Sequence, residues 1–217
     1  MSVEIILKDA KNESVVPRLG GYSFLPENMD WPLNPDGDKL TLILSLPTDF
    51  LNKTLDVNFP KEHVLSVFTT YSKDDYFLDV ITFHGDNEEL QNIRKGYTRV
   101  LLHEAGNIRN ESEFLIPAQE FILGDELNLD LEEEEEVDGE DLDDREIYCG
   151  SLIGHTPSLL QIEDLGLADY QFCLQIYGGD FPEGFHDIFC VSGSTGYLFV
   201  NKNVVQSNAG VFFTQCT

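Results

Sequence analysis

The sequence predicts an α+β protein that is predominantly β. It divides into two similar β-rich subdomains that come from an internal duplication and share one core. Three observations carry this. Short apolar or alternating runs bounded by Gly, Pro, Asn and Asp recur along the chain, as strands between turns do. Almost no stretch carries the three-to-four-residue apolar spacing of an amphipathic helix. The two ends of the chain echo each other across a strongly acidic middle.

In order, Val3–Leu7 reads as a strand followed by a polar turn. Gly20-Gly21 permits positive φ or close backbone approach. Pro26 and Pro32 bias the residues before them toward extended forms. Asn34-Pro35-Asp36-Gly37 is a turn, with Pro presetting φ and Gly accepting the left-handed position. Leu40–Leu46 is nearly all apolar and too short for an ordinary helix, so it reads as a buried strand. Pro47–Leu51 starts a short helix with Thr48 or Asp49 as its cap. Val64–Tyr71, Asp74–Phe83 and Arg94–His103 read as strands, and Glu113–Leu123 as an extended segment broken by Pro117. Beyond the acidic middle, strands are expected at Tyr170–Tyr177, Asp187–Val191, Tyr197–Asn201 and Ala209–Cys216.

The echo is one of spacing. Gly21 precedes a Pro/Leu segment and strands at 40–46 and 64–71. Gly154 precedes Pro157, Leu159 and strands at 172–176 and 197–201. Duplication explains this. Coincidence of strand spacing is the competing explanation, since strands and turns recur at such intervals in any β-rich chain. The domain expectation is residues 1–124, an acidic mobile loop at 125–146, and residues 147–217.

That middle stretch holds fourteen acids against one base, Arg145, about half of the whole chain's net −27. Such a surface repels phosphate backbones and disfavours nucleic acid. It attracts a basic protein or peptide and speeds the encounter. Solubility alone is the competing account. The candidate partner-binding residues are Glu132, Glu133, Glu134, Glu135, Glu136, Asp138, Asp141, Asp143 and Asp144, with Trp31 as an aromatic anchor. For Trp31, a lid over the core is the alternative, because Trp is highly buried on average.

The stretch fails as a calcium loop. With Gly139 as the turn glycine, position twelve is Arg145 where a glutamate is needed. The five histidines are scattered, so no metal or cofactor is expected. Cys149, Cys173, Cys190 and Cys216 form no CxxC pair, and no apolar leader or membrane-length segment occurs. These features fit a cytoplasmic protein with free thiols. Gly193–Gly196 lacks the lysine of a phosphate loop. The one enzyme alternative is a Cys190/His186 pair.

A resemblance adds to this. Gly20, Gly21, Leu25, Pro26, Trp31, Pro32, Gly37, Leu40 and Leu42 form an opening that resembles the YwqG-like family of bacterial proteins. CLQIYGGDF, TGYLFVNKNVV and VFFTQC resemble that family's later strands. Ser45 stands where the family usually carries Gln, and the acidic insertion lies outside its pattern. The family is similar to eukaryotic ribosome-assembly proteins of the programmed-cell-death-2 type, which chaperone a basic ribosomal protein. Its members also occur beside secreted toxins. The resemblance implies protein binding, with an immunity or chaperone-like role toward a basic partner, rather than catalysis.

Overall fold

The computed structural model describes residues 2–129, 147–161, 165–205 and 208–216. Within them the chain is predominantly β and builds a nearly closed ten-stranded sheet. The strands are β1 (Ser2–Asp9), β2 (Arg18–Leu19), β3 (Thr41–Pro47), β4 (His63–Thr69), β5 (Thr98–Glu104), β6 (Gln119–Leu127), β7 (Leu152–Gly154), β8 (Tyr170–Tyr177), β9 (Thr195–Val205) and β10 (Asn208–Gln215). Their order is β10-β9-β8-β7-β1-β6-β2-β3-β4-β5, and every neighbouring pair is antiparallel. This order reads alike from both ends. β1 and β6 pair at the centre, β7 to β10 run outward from β1, and β2 to β5 run outward from β6.

The two edge strands meet. The Thr98 hydroxyl on β5 donates to the Phe212 carbonyl on β10 at 2.6 Å. The curled sheet therefore has an inside, filled by one core cluster. Leu19, Leu44, Val67 and Val100 supply it from the first half, and Leu174, Leu198, Val200 and Phe212 from the second. Alternation along β9 and β10 sends Tyr197, Phe199, Val211 and Phe213 to the other face. There they form an outer cluster with Phe83, Phe172 and Leu152. A second outer cluster holds Leu25, Trp31, Leu40, Leu42 and Phe68. Because β3 is covered on both faces, it reads as an unbroken apolar run rather than an alternating one. Each phenylalanine so buried contributes about 1.5–3 kcal/mol.

The loops over the second outer cluster are held by two cations. Arg109 donates to the Pro26 and Met29 carbonyls at 3.2 and 3.0 Å and lies over the Trp31 ring. Arg18 is fully buried, donates to the Asn12 and Tyr22 carbonyls and lies 5.1 Å from the Phe24 ring centre. Desolvation lowers its pKa to about 10.

His103, at the end of β5, is buried too. Its Nδ1 lies 2.8 Å from the Glu104 carbonyl, which can only accept, so Nδ1 carries the proton. Nε2 then accepts from the Ser66 hydroxyl at 2.8 Å. Burial lowers the His103 pKa, and the Glu104 bond opposes that. Between the lowered folded value and the ordinary one near 6.5, the unfolded chain binds more protons. The stability His103 supplies is thus complete above about pH 6.5 and is lost as pH falls through the folded value. Urea unfolding should show a loss between pH 7.5 and 5.5 that shrinks in His103→Gln; an identical loss in the variant would remove His103 as its cause.

Several sequence expectations are corrected. Asp74–Phe83 is not a strand. It turns through Ser72–Tyr76 and enters helix α2 (Leu78–Ile81), since Phe77 and Ile81, four apart, bury on one side. Asp187–Val191 forms turns, with Ile188 and Phe189 plugged into the core and Cys190 at φ 73°. Helix α1 (Thr48–Thr54) is preceded by Pro47 with no side-chain cap. The Thr48 hydroxyl instead donates to the Pro60 carbonyl at 2.7 Å. Helix α3 (Asn87–Asn92) is an addition to the expected elements, and Asp86 caps it by accepting from the Glu88 and Glu89 amides. Of the acidic middle, Asp125–Leu127 belong to β6, and residues 130–146 lie outside the described residues.

Candidate functional site: an acidic aromatic cleft

At one end of the β3-β4-β5 edge, register brings three chain segments together. Thr41 pairs with Thr69, and Thr69 with Thr98. The loop before Thr41, the loop after Thr69 and Tyr97 therefore leave the sheet side by side. A fourth segment, 111–114, joins them through a 2.9 Å hydrogen bond between the Ser112 and Thr41 hydroxyls. Together they enclose about 810 Å³ of open cleft.

Six acids line this cleft: Asp36, Asp38, Asp74, Asp75, Glu111 and Glu113. Lys39 and Lys73 line it too; Lys39 is spent on Glu111 at 3.0 Å, and Arg109 reaches the same carboxylate from outside the lining at 3.2 Å. The Lys39 hydrogen bond holds the Glu111 carboxyl below its ordinary range. The walls are aromatic: Tyr71, Tyr76, Phe77, Tyr97 and Phe114. Asp36 pushes the Tyr97 pKa up, and Tyr71 donates to Asp187 at 2.8 Å. Burial first, then the Asp187 bond, push the Tyr71 pKa well up, so its hydroxyl stays neutral.

Each acidic loop is shaped by its own short side chains. The Asn34 amide oxygen accepts from the Asp36 and Asp38 amides at 3.0 and 2.8 Å, and Gly37 takes φ 95°. The Ser72 hydroxyl oxygen accepts from the Asp74 and Asp75 amides at 3.2 and 2.9 Å. Both devices fix backbone, and each also steadies one carboxylate: the Asn34 amide donates to Asp38 at 3.3 Å and the Ser72 hydroxyl to Asp75 at 3.2 Å. What such a cleft can do chemically is hold a positively charged, partly apolar chain.

Of the partner residues expected from the sequence, Trp31 is described and does not line the cleft. Glu132, Glu133, Glu134, Glu135, Glu136, Asp138, Asp141, Asp143 and Asp144 fall outside the described residues. Trp31 is 5% exposed, donates its indole N–H to the Leu40 carbonyl at 2.8 Å and packs edge-on against Phe68. His186 is exposed and Cys190 half-buried, and among the described residues no hydrogen bond joins them. Among the described residues no group of three or more His, Cys, Asp or Glu is placed to hold a metal. No helix among them is long and apolar enough to cross a membrane. The signal that could have found the cleft is compositional: NPDGD, SKDDYF and ESEF each join acids to an aromatic or a turn.

Fold and cleft define a β-rich, barrel-like protein with an acidic, aromatic opening at one end. The chain belongs to the family of the domain of unknown function DUF1963, whose model matches residues 17–169. No curated protein matches it.

Proposed function

We propose that this protein binds a basic polypeptide, with the acidic aromatic cleft as the contact surface. The observation that carries this is the cleft's composition: six carboxylates against two ammonium groups, set on five aromatic walls. Carboxylates speed the encounter, and aromatic faces supply contact area at low entropy cost. The acidic stretch at 130–146 adds to the steering field. The resemblance to YwqG-like and programmed-cell-death-2-type proteins supports the same direction. Toxin neutralisation and chaperoning of a basic client both use this chemistry. A client that folds alone and is inhibited on binding favours the first, and one that aggregates alone favours the second. A cytoplasmic setting belongs to this proposal.

The palindromic strand order supports a further part of the proposal, that the two halves descend from one duplicated unit.

The test is association kinetics with a hexalysine peptide. The on-rate is expected to fall at least about tenfold from 50 to 500 mM salt, because screening shortens from roughly 14 to 4 Å. Asp74→Asn/Asp75→Asn/Glu113→Gln should flatten this dependence more than deletion of 130–146 does. An on-rate indifferent to salt would overturn the proposal.

A further inference from the structure

Resting on that function, we infer that the aromatic corner of the cleft receives a single lysine side chain of the basic partner, and that Lys73 holds this place in the free protein. Tyr71, Phe77, Phe114 and Phe185 form this corner. Tyr71 meets Phe77 and Phe114 edge-to-face at 6.0 and 4.7 Å between ring centres, and Phe185 at 5.8 Å. The Lys73 ammonium lies 5.4 Å from the centre of the Phe185 ring and 5.9 Å from that of Phe114. The corner thus already shows an alkylammonium group on its rings, which is the chemistry it selects.

The hold on Lys73 is weak. Among the described residues no carboxylate lies within ion-pair distance of its ammonium, although Asp74 and Asp75 follow it directly. Cation–π attraction at such an exposed place is worth only about 0.5–1 kcal/mol. Lys73 itself is exposed and rises from the Ser72-shaped loop, so it can swing out into water. A visiting lysine takes over the same two rings, and Glu113, next to Phe114, adds a carboxylate at the rim. Lysine suits the corner better than an acidic or neutral side chain, because the ring faces and the rim are both electron-rich. Lys73 therefore competes with the ligand and sets a threshold that only a sufficiently basic partner passes.

Removing the competitor must be separated from removing one positive charge. Lys39, which also lines the cleft but lies over no ring among the described residues, supplies that control. Hexalysine binding is measured by calorimetry on the full chain for wild type, Lys73→Ala, Lys39→Ala and Lys73→Ala/Phe185→Leu, each checked for wild-type thermal unfolding. Lys73→Ala is expected to bind about two- to fivefold tighter than Lys39→Ala, the factor that corresponds to the displaced cation–π contact. Phe185→Leu should abolish that gain, since leucine keeps bulk and loses the ring face. Equal affinities for the two lysine variants would overturn the inference and leave the cleft's function standing. Absence of hexalysine binding in wild type and every variant would overturn both.

Discussion

Gly20→Ala is expected to cost roughly 3 kcal/mol or more, against about 1 kcal/mol for Gly37→Ala. Both glycines sit at positive φ, 62° and 95°, where an L side chain is strained. They differ in what a Cβ would meet. At Gly20 it would lie 2.6 Å from the Ile116 carbonyl oxygen and 2.9 Å from that of Pro117. Both are backbone atoms, and the Gly20 amide is itself tied to the Ile43 carbonyl at 2.8 Å. Nothing there can swing aside. At Gly37 the Cβ would meet open space. The urea midpoint, read with an unchanged slope, measures the difference. Equal losses would show that the segment around Ile116 yields, and that the junction of β2 with its covering loop is softer than its geometry.

Trp31→Ala is expected to cost about 3–5 kcal/mol, the range for emptying a buried aromatic site. The indole fills the space between Leu40 and Phe68 and backs the Arg109 guanidinium, so its removal also loosens the arginine that ties two loops together. Trp31→Phe keeps most of the contact but leaves the Leu40 carbonyl without its donor, a loss of about 1–2 kcal/mol. Hexalysine affinity of Trp31→Phe should equal that of wild type. A drop in affinity at preserved stability would make Trp31 a partner contact.

How much of this was legible in the sequence follows from what each segment packs against. β3 and β8 are read correctly because short apolar runs between turn residues have few other uses. The segment 74–83 misleads because Tyr76, Leu78 and Val80 alternate like a strand. The pair that decides its fold is Phe77 and Ile81, at helical spacing, and their burial depends on the core beneath. The run DIFCV misleads similarly. Ile188 and Phe189 close the inside of the sheet from a turn, and among the described residues the run pairs with no strand. The cleft was out of reach for a different reason. Its walls come from 36–39, 71–77, 97 and 111–114, and only the Thr41–Thr69–Thr98 register sets them beside one another. Composition can mark acids and aromatics in each loop, but adjacency is a property of strand pairing. The acidic run at 130–146 stands out in the sequence by charge, while the six cleft carboxylates sit in modest numbers on three separate loops.

The central β1–β6 pair bears on how the protein is made. β1 leaves the ribosome before both of its neighbours, β6, beginning at Gln119, and β7, beginning at Leu152. At ordinary synthesis rates of about 5–20 residues per second, both of its edges stay bare for on the order of ten seconds. Val3, Ile5 and Leu7 lack both native strand partners in that interval, and β2 to β5 must curl around an incomplete centre. A nascent chain in this state invites strand-to-strand aggregation, so yield in the cell should respond more to translation speed and to holdase chaperones than the stability of the finished barrel would suggest.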